Sequence, residues 1–235
     1  MLNQSRARSI DLDNPFAPLT GLCELVLVRH GEQALSKELS AGETVDPPLS
    51  DLGERQVQAV AQRLATSRVD AVYSSPLRRA LRTGTEIADR HGLVPVVRDD
   101  LTEYEPWQKF PADRSPFDAL PHDEIATIFR EHIRTRRYDA FPYAEDGAEF
   151  RARVLGQIAA IVDAHPGERV VVTCHGGVIN AVLADALGSG LDMPVRVHHT
   201  SISVVRGADT RRAVQSVNDF SHVLDFQTSV GAMNL

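Results

Sequence analysis

The sequence predicts an α/β domain built around a largely parallel sheet, and three observations carry that expectation. Two short apolar runs, Leu25, Val26, Leu27, Val28 and Val170, Val171, Val172, Thr173, read as strands buried on both faces, the pattern of inner strands in a parallel sheet. Segments with apolar residues at helical spacing stand between the strand candidates. The chain, 235 residues and 43% hydrophobic, is long enough to fill one such domain.

Taken in order, residues 1–21 are polar and interrupted by Pro15 and Pro18, and read as an N-terminal extension. The first strand runs into Arg29, His30, Gly31 and Glu32. Ligands of open α/β sheets bind beyond the carboxyl ends of strands, so chemistry is expected at this corner. Gly31 permits a sharp turn there and a close approach of backbone amides to an anion. Residues 33–48 read as a loop. Ser50 is a candidate N-cap, with Asp51 and Glu54 in the first turn and Val57, Val60, Ala61 and Leu64 along one helical face.

A second strand at 70–73 leads into Ser74, Ser75, Pro76, Leu77, Arg78 and Arg79, where the Ser and Pro signal a helix start. Cations in a first turn oppose the helix macrodipole, so Arg78 and Arg79 point to an anion bound at that end. A third strand at 93–97 ends in a run containing Glu103, Tyr104, Glu105 and Trp107. Residues 108–147 change texture and read as an insertion over the sheet, with one helix marked by Ile125, Ile128, Phe129 and Ile133. Helical spacing resumes at Phe150, Val154, Ile158 and Ile161, and Pro166 and Gly167 mark the turn after it.

The second apolar strand ends in Cys174, His175, Gly176 and Gly177, an echo of the first. Two further strands, at 201–205 and 213–217, are expected at a sheet edge; residues 218–224 close the domain and 225–235 form a tail.

Composition narrows the partners. With 32 carboxylates against 25 basic residues and no block of like charge, the chain is not expected to bind nucleic acid or a membrane surface, and small molecules are the expected partners. Cys23 and Cys174 show neither metal-ligand spacing nor a disulfide framework and read as reduced, buried residues of a cytoplasmic protein. No apolar run has membrane-spanning length, and the first twenty residues lack a signal peptide's apolar core. The sequence leaves a homodimer open.

Two strand-end histidines, an arginine beside one of them, and another arginine at a strand-to-helix junction exceed what one chance tripeptide explains. Together with Pro48-Leu49-Ser50-Asp51-Leu52-Gly53-Glu54-Arg55-Gln56, Ser74-Ser75-Pro76-Leu77-Arg78-Arg79-Ala80, Leu101-Thr102-Glu103 and Val172-Thr173-Cys174-His175-Gly176-Gly177, the chain resembles the histidine phosphatase superfamily over residues 22–224, with the insertion at about 104–147. The resemblance implies a three-layer α/β/α sandwich and neither metal nor cofactor. It implies His30 as nucleophile, Arg29, Arg79 and His175 as phosphate-binding residues, and Glu103 as the acid that protonates the leaving group.

These assignments suit the chemistry. A phosphate monoester is nearly a dianion and must be neutralised before a nucleophile approaches phosphorus. Arginine's planar fork binds two phosphate oxygens and keeps its proton. Neighbouring guanidinium groups keep His30 neutral, whereas His175 is more useful as a cation, so opposite protonation states are expected for the pair. Glu105, two positions past Glu103, would point the same way in an extended segment and stays open as an alternative acid. Arg78, His198 and His199 read as solvated, paired or loop residues.

Mutases of the superfamily usually carry Ser after Arg-His-Gly-Glu, then Trp-Asn. Here Gln33 stands at the first place and Leu35-Ser36 at the second, and Gly177-Val178 follows His175-Gly176. These departures favour hydrolysis over a mutase, and the intact set of five residues disfavours an inert phosphate-binding module. Gln33 also departs from most phosphatases, which leaves one secondary phosphate contact without its usual residue. Specificity is expected from residues 104–147, where Trp107, Lys109, Arg114 and Arg130 offer aromatic and cationic contacts.

Overall fold

The structure, a computed structural model, describes residues 21–34, 46–111, 113–208 and 211–227. The extension at 1–20, most of the loop after the first strand and the tail from 228 lie outside the described residues. The first apolar run forms β1 (Cys23–Arg29), in which Leu25, Val26, Leu27 and Val28 are fully buried. It sits inside a sheet with strand order β3-β2-β4-β1-β5-β6, where β2 is Ala71–Ser74, β3 Val96–Val97, β4 Arg169–Cys174, β5 Ile202–Ala208 and β6 Arg211–Asp219.

Strands β3, β2, β4 and β1 pair in parallel, while β5 runs antiparallel to β1 and to β6. The sheet is therefore mixed, with its parallel part on one side of β5. The expectation that both late strands sit at an edge fails for β5, which is paired on both sides. The third strand is shorter than the 93–97 expected. Pro95 offers no N–H to a ladder, Val94 is 83% exposed, and only Val96 and Val97 pair, at the sheet's edge.

Alternation along β1 builds the layers. Val26 and Val28 join Val60, Ala61, Leu64, Ile87 and Ala88, which come from α1 (Asp51–Leu64) and α2 (Arg78–Asp89) on one face. Leu25 and Leu27 join Phe150, Val154, Ile158, Val178 and Ile179 on the other, from two later helices. No helix among the described residues is long and apolar enough to cross a membrane.

Helix α1 starts as its sequence directs, with Ser50 Oγ accepting from Gly53 N at 3.0 Å. The insertion carries two helices, a short α3 (Pro116–Ala119) that the apolar spacing did not reveal and α4 (His122–Thr135). Ile125 and Ile128 of α4 are buried, but Phe129 and Ile133 are exposed, because α4 packs on the turn at Tyr138–Ala140 and not on the sheet. The chain continues through α5 (Gly147–Ala164) and, after β4, α6 (Gly176–Leu187), and α7 (Leu224–Gln227) follows β6. Tyr138 ties the insertion to the start of α6, its hydroxyl donating to Gly177 O at 2.8 Å.

Candidate active site

The pairing of β1 with β4 ends at Arg29 opposite Cys174, so the next residue on each strand, His30 and His175, emerges beside the other. Their rings lie 5.1 Å apart, centroid to centroid. His30 N donates to Cys174 O at 3.0 Å, which holds the nucleophile candidate to the sheet one residue past the strand. Both imidazoles are buried, 3% and 0% exposed.

His30 Nδ1 lies 2.7 Å from Gly31 O. A carbonyl only accepts, so Nδ1 carries the proton and Nε2 keeps its lone pair. Arg79 Nε donates to that Nε2 at 3.3 Å. His175 divides its nitrogens the other way: Nε2 shares a 2.8 Å hydrogen bond with Ser75 Oγ, and Nδ1 is buried with no partner among the described residues. Arg29 Nη1 donates to Val197 O at 2.6 Å, while its Nε is also buried and unpartnered among the described residues. Buried polar atoms of this kind are costly without a partner. Arg29 Nε is a donor, and so is His175 Nδ1 when Ser75 donates to Nε2, so that an oxyanion against them would satisfy both.

The loop after His30 is pinned from α1. Glu32 N donates to Gln56 Oε1 at 2.9 Å and Ser50 Oγ donates to Glu32 Oε1 at 2.8 Å. A side chain at Gly31 would place its Cβ 2.6 Å from Gly53 O, so the loop's approach to α1 requires glycine.

Glu103 joins the cluster from the opposite wall. Both its carboxylate oxygens lie 3.1 Å from Gly177 N at the start of α6, and a Cβ on Gly176 would be 3.9 Å from Glu103 Oε2 and from Arg29 Nε. Glu105 is exposed and its carboxylate turns back to Trp107 N at 3.3 Å. Of the two carboxylates that sequence left open, Glu103 is the one that the fold brings to Gly177 N and into the field of Arg29 and Arg79.

Burial, with the charges of the clamp, sets the electrostatics. Desolvation, then His175, Arg29 and Arg79, holds His30 well below the ordinary imidazole range. Desolvation and the two arginines do the same to His175, so the protein's own groups push both imidazoles toward the neutral form, and the opposite protonation states expected for the pair do not follow from them. Burial, reinforced by Arg79 and Arg196, brings Arg29 down to about 10 against the pull of Glu103.

Two residues enter the site that the sequence did not mark. The His199 ring lies 5.6 Å from that of His30 and is brought down to about 3 by burial and then by Arg29, His198 and Arg79. The reason is topological: Ile202 pairs with Val28, so the turn preceding an antiparallel β5 arrives at the carboxyl end of β1. Asp46 is the second. Both its carboxylate oxygens accept from Arg78 N at 3.0 Å, and Oδ1 pairs with Arg79 Nη1 at 3.3 Å. The anion at this helix end is thus a side chain of the protein itself, whereas Leu77, the N-cap, makes no side-chain cap. Arg78 is exposed, as expected, and the signal for Asp46 would have been a carboxylate shortly before the Ser50 cap.

A model of the histidine phosphatase superfamily (branch 1) matches residues 25–220. Among curated proteins the chain is 28% identical to a Bacillus subtilis protein called uncharacterized phosphatase PhoE, covering 88% of this chain and 99% of that one. It is 30% identical to phosphoglycerate mutase-like protein 4 of Arabidopsis thaliana, covering 94% and 93%. Among solved structures it superposes on Bacillus stearothermophilus YhfR with a TM-score of 0.67 at 26% identity, covering 86% of this chain and 99% of that one.

Proposed function

The chain belongs to the histidine phosphatase superfamily, and from that premise we propose that it hydrolyses small phosphomonoesters through a phosphohistidine on His30, without a metal. The observation that carries the reading is the commitment of His30 Nδ1 to Gly31 O, which leaves the Nε2 lone pair turned toward the Arg79 guanidinium, beside the His175 ring. In this reading Arg29, Arg79 and His175 hold the phosphoryl oxygens. Nε2 attacks phosphorus, the ester P–O bond breaks, and Glu103 in its acid form gives its proton to the departing alkoxide. Water then attacks the phosphohistidine, the P–N bond breaks, and the Glu103 carboxylate takes the water's proton.

At His175 a substrate dianion opposes the effect of burial and the arginines, since a negative charge against Nδ1 favours the imidazolium that they disfavour. The cationic role expected for His175 belongs, in this reading, to the substrate complex. The test is chemical: turnover of a phosphomonoester followed by alkaline quench should leave acid-labile phosphate on His30. Hydrolysis by His30→Ala at the native rate would overturn the assignment.

The Arabidopsis relative's name favours one second reading, a phosphomutase. Release of inorganic phosphate with no acceptor present supports hydrolysis; return of the phosphoryl group to an added glycerate supports the mutase.

A further inference from the structure

Glu103 belongs to no strand or helix, lying just past the single turn at Asp99–Leu101. A group that must deliver a proton to one oxygen needs to be held to within an ångström, so something else must fix this segment. One side chain on α5 does so. Arg153 Nη1 donates to Asp100 O at 2.9 Å and to Thr102 O at 2.8 Å, and Nη2 donates to Glu103 O at 3.4 Å. The same guanidinium is held in turn by Glu145, with Nε to Oε1 at 2.8 Å and Nη2 to Oε2 at 3.0 Å, and lies 4.8 Å over the Phe150 ring.

Glu145, 9% exposed, braces the other flank. Its N donates to Glu105 O at 2.9 Å and its Oε2 accepts from Glu105 N at 3.4 Å. The carbonyls of residues 100, 102 and 103 are therefore gathered by one fork, and both polar groups of Glu105 by that fork's ion-pair partner. Only arginine has the donors to span three carbonyls and a carboxylate at once.

We propose that Arg153, held by Glu145, is a positioning residue that aims Glu103 at the leaving-group oxygen; this rests on the reading of Glu103 as the acid. Its removal should therefore reproduce the kinetic signature of losing the acid, where a loss of general stability would slow every substrate alike. Arg153→Lys keeps the positive charge and removes the fork.

The experiment is single-turnover phosphorylation of His30 by a series of substituted phenyl phosphates, from nitrophenyl to unsubstituted phenyl, in the native protein, Arg153→Lys, Glu145→Gln and Glu103→Gln. Expected is a steeper dependence on leaving-group pKa in all three variants, with phenyl phosphate losing at least about tenfold more than nitrophenyl phosphate in Arg153→Lys, and inhibition by inorganic phosphate unchanged within about twofold. Glu145→Gln should steepen the dependence less and carries the test should Arg153→Lys fail to fold. Steepening in Glu103→Gln with a parallel loss, or none, in Arg153→Lys and Glu145→Gln overturns the positioning role and leaves the acid in place. No steepening in Glu103→Gln overturns the acid assignment and the inference with it.

Discussion

The two His-Gly corners are near repeats in sequence, yet the fold gives them opposite orientations of the same ring. At the first, Nδ1 is spent on Gly31 O and Nε2 is presented to Arg79; at the second, Nε2 is spent on Ser75 and Nδ1 is left open. The glycines differ as well. Gly31 is pressed by the backbone of α1, whereas Gly176, its counterpart, has room for a Cβ, and it is Gly177, one residue on, that the Glu103 carboxylate presses. A strand ending in His-Gly is thus a placement device, and the partner that each ring's committed nitrogen finds decides which nitrogen is turned to the other side chains of the cluster.

Substitution separates the two corners. His30→Ala should remove measurable turnover, while His175→Ala should keep a residue of it, with kcat down by about 10²–10³, the loss typical of one oxyanion donor, because Arg29 and Arg79 remain. Equal, complete losses would erase the distinction. Next, Gly177→Ala puts a Cβ 2.4 Å from Glu103 Oε1, the end of a flexible side chain, so the fold should survive while turnover of poor leaving groups falls by about 10²–10⁴. Gly31→Ala meets the carbonyl of Gly53 at 2.6 Å, which cannot swing away, so here thermal stability should drop by about 1–3 kcal/mol. Unfolding curves and leaving-group series on both alanine variants check the contrast.

A smaller effect follows from the imidazoles around both corners. His30, His175 and His199 are all depressed in the fold, His199 to about 3, whereas unfolded histidine titrates near ~6.5. The unfolded chain therefore takes up protons that the folded one refuses. Stability is fully present above pH ~6.5 and declines as pH falls through that window, by up to about 1.4 kcal/mol per pH unit for each group. His199→Asn should flatten the decline between pH 7 and pH 5 in urea titrations; an unchanged slope would show that His199 contributes nothing to it. The smallest expected effect is that of EDTA, which should leave turnover unaltered because Arg29 and Arg79 supply the positive charge at both corners.

How much of this was readable in the sequence depended on where the information lies along the chain. Arg29, His30, Arg79 and His175 were legible because each stands within a residue or two of a strand end or helix start that local pattern marks. Glu103 and Glu105 could not be told apart by alternation, because what separates them is the remote amide of Gly177, which meets the Glu103 carboxylate while that of Glu105 turns back to Trp107 N. His199 was passed over because its place depends on β5 running antiparallel beside β1, a fact of pairing that no local spacing encodes. Asp46 is a similar case: two arginines in a first turn demand an anion, and only the folded path of the loop before α1 shows that the chain supplies it.

The last rung between β1 and β4 and the hydrogen bond from His30 N to Cys174 O are continuous with the ladder of the two inner strands. In terms of amide exchange, that proton should trade with solvent deuterium only when β1 and β4 part, as slowly as the amides of the inner strands themselves. The proposed nucleophile is thus expected to keep its place for as long as the two strands stay paired.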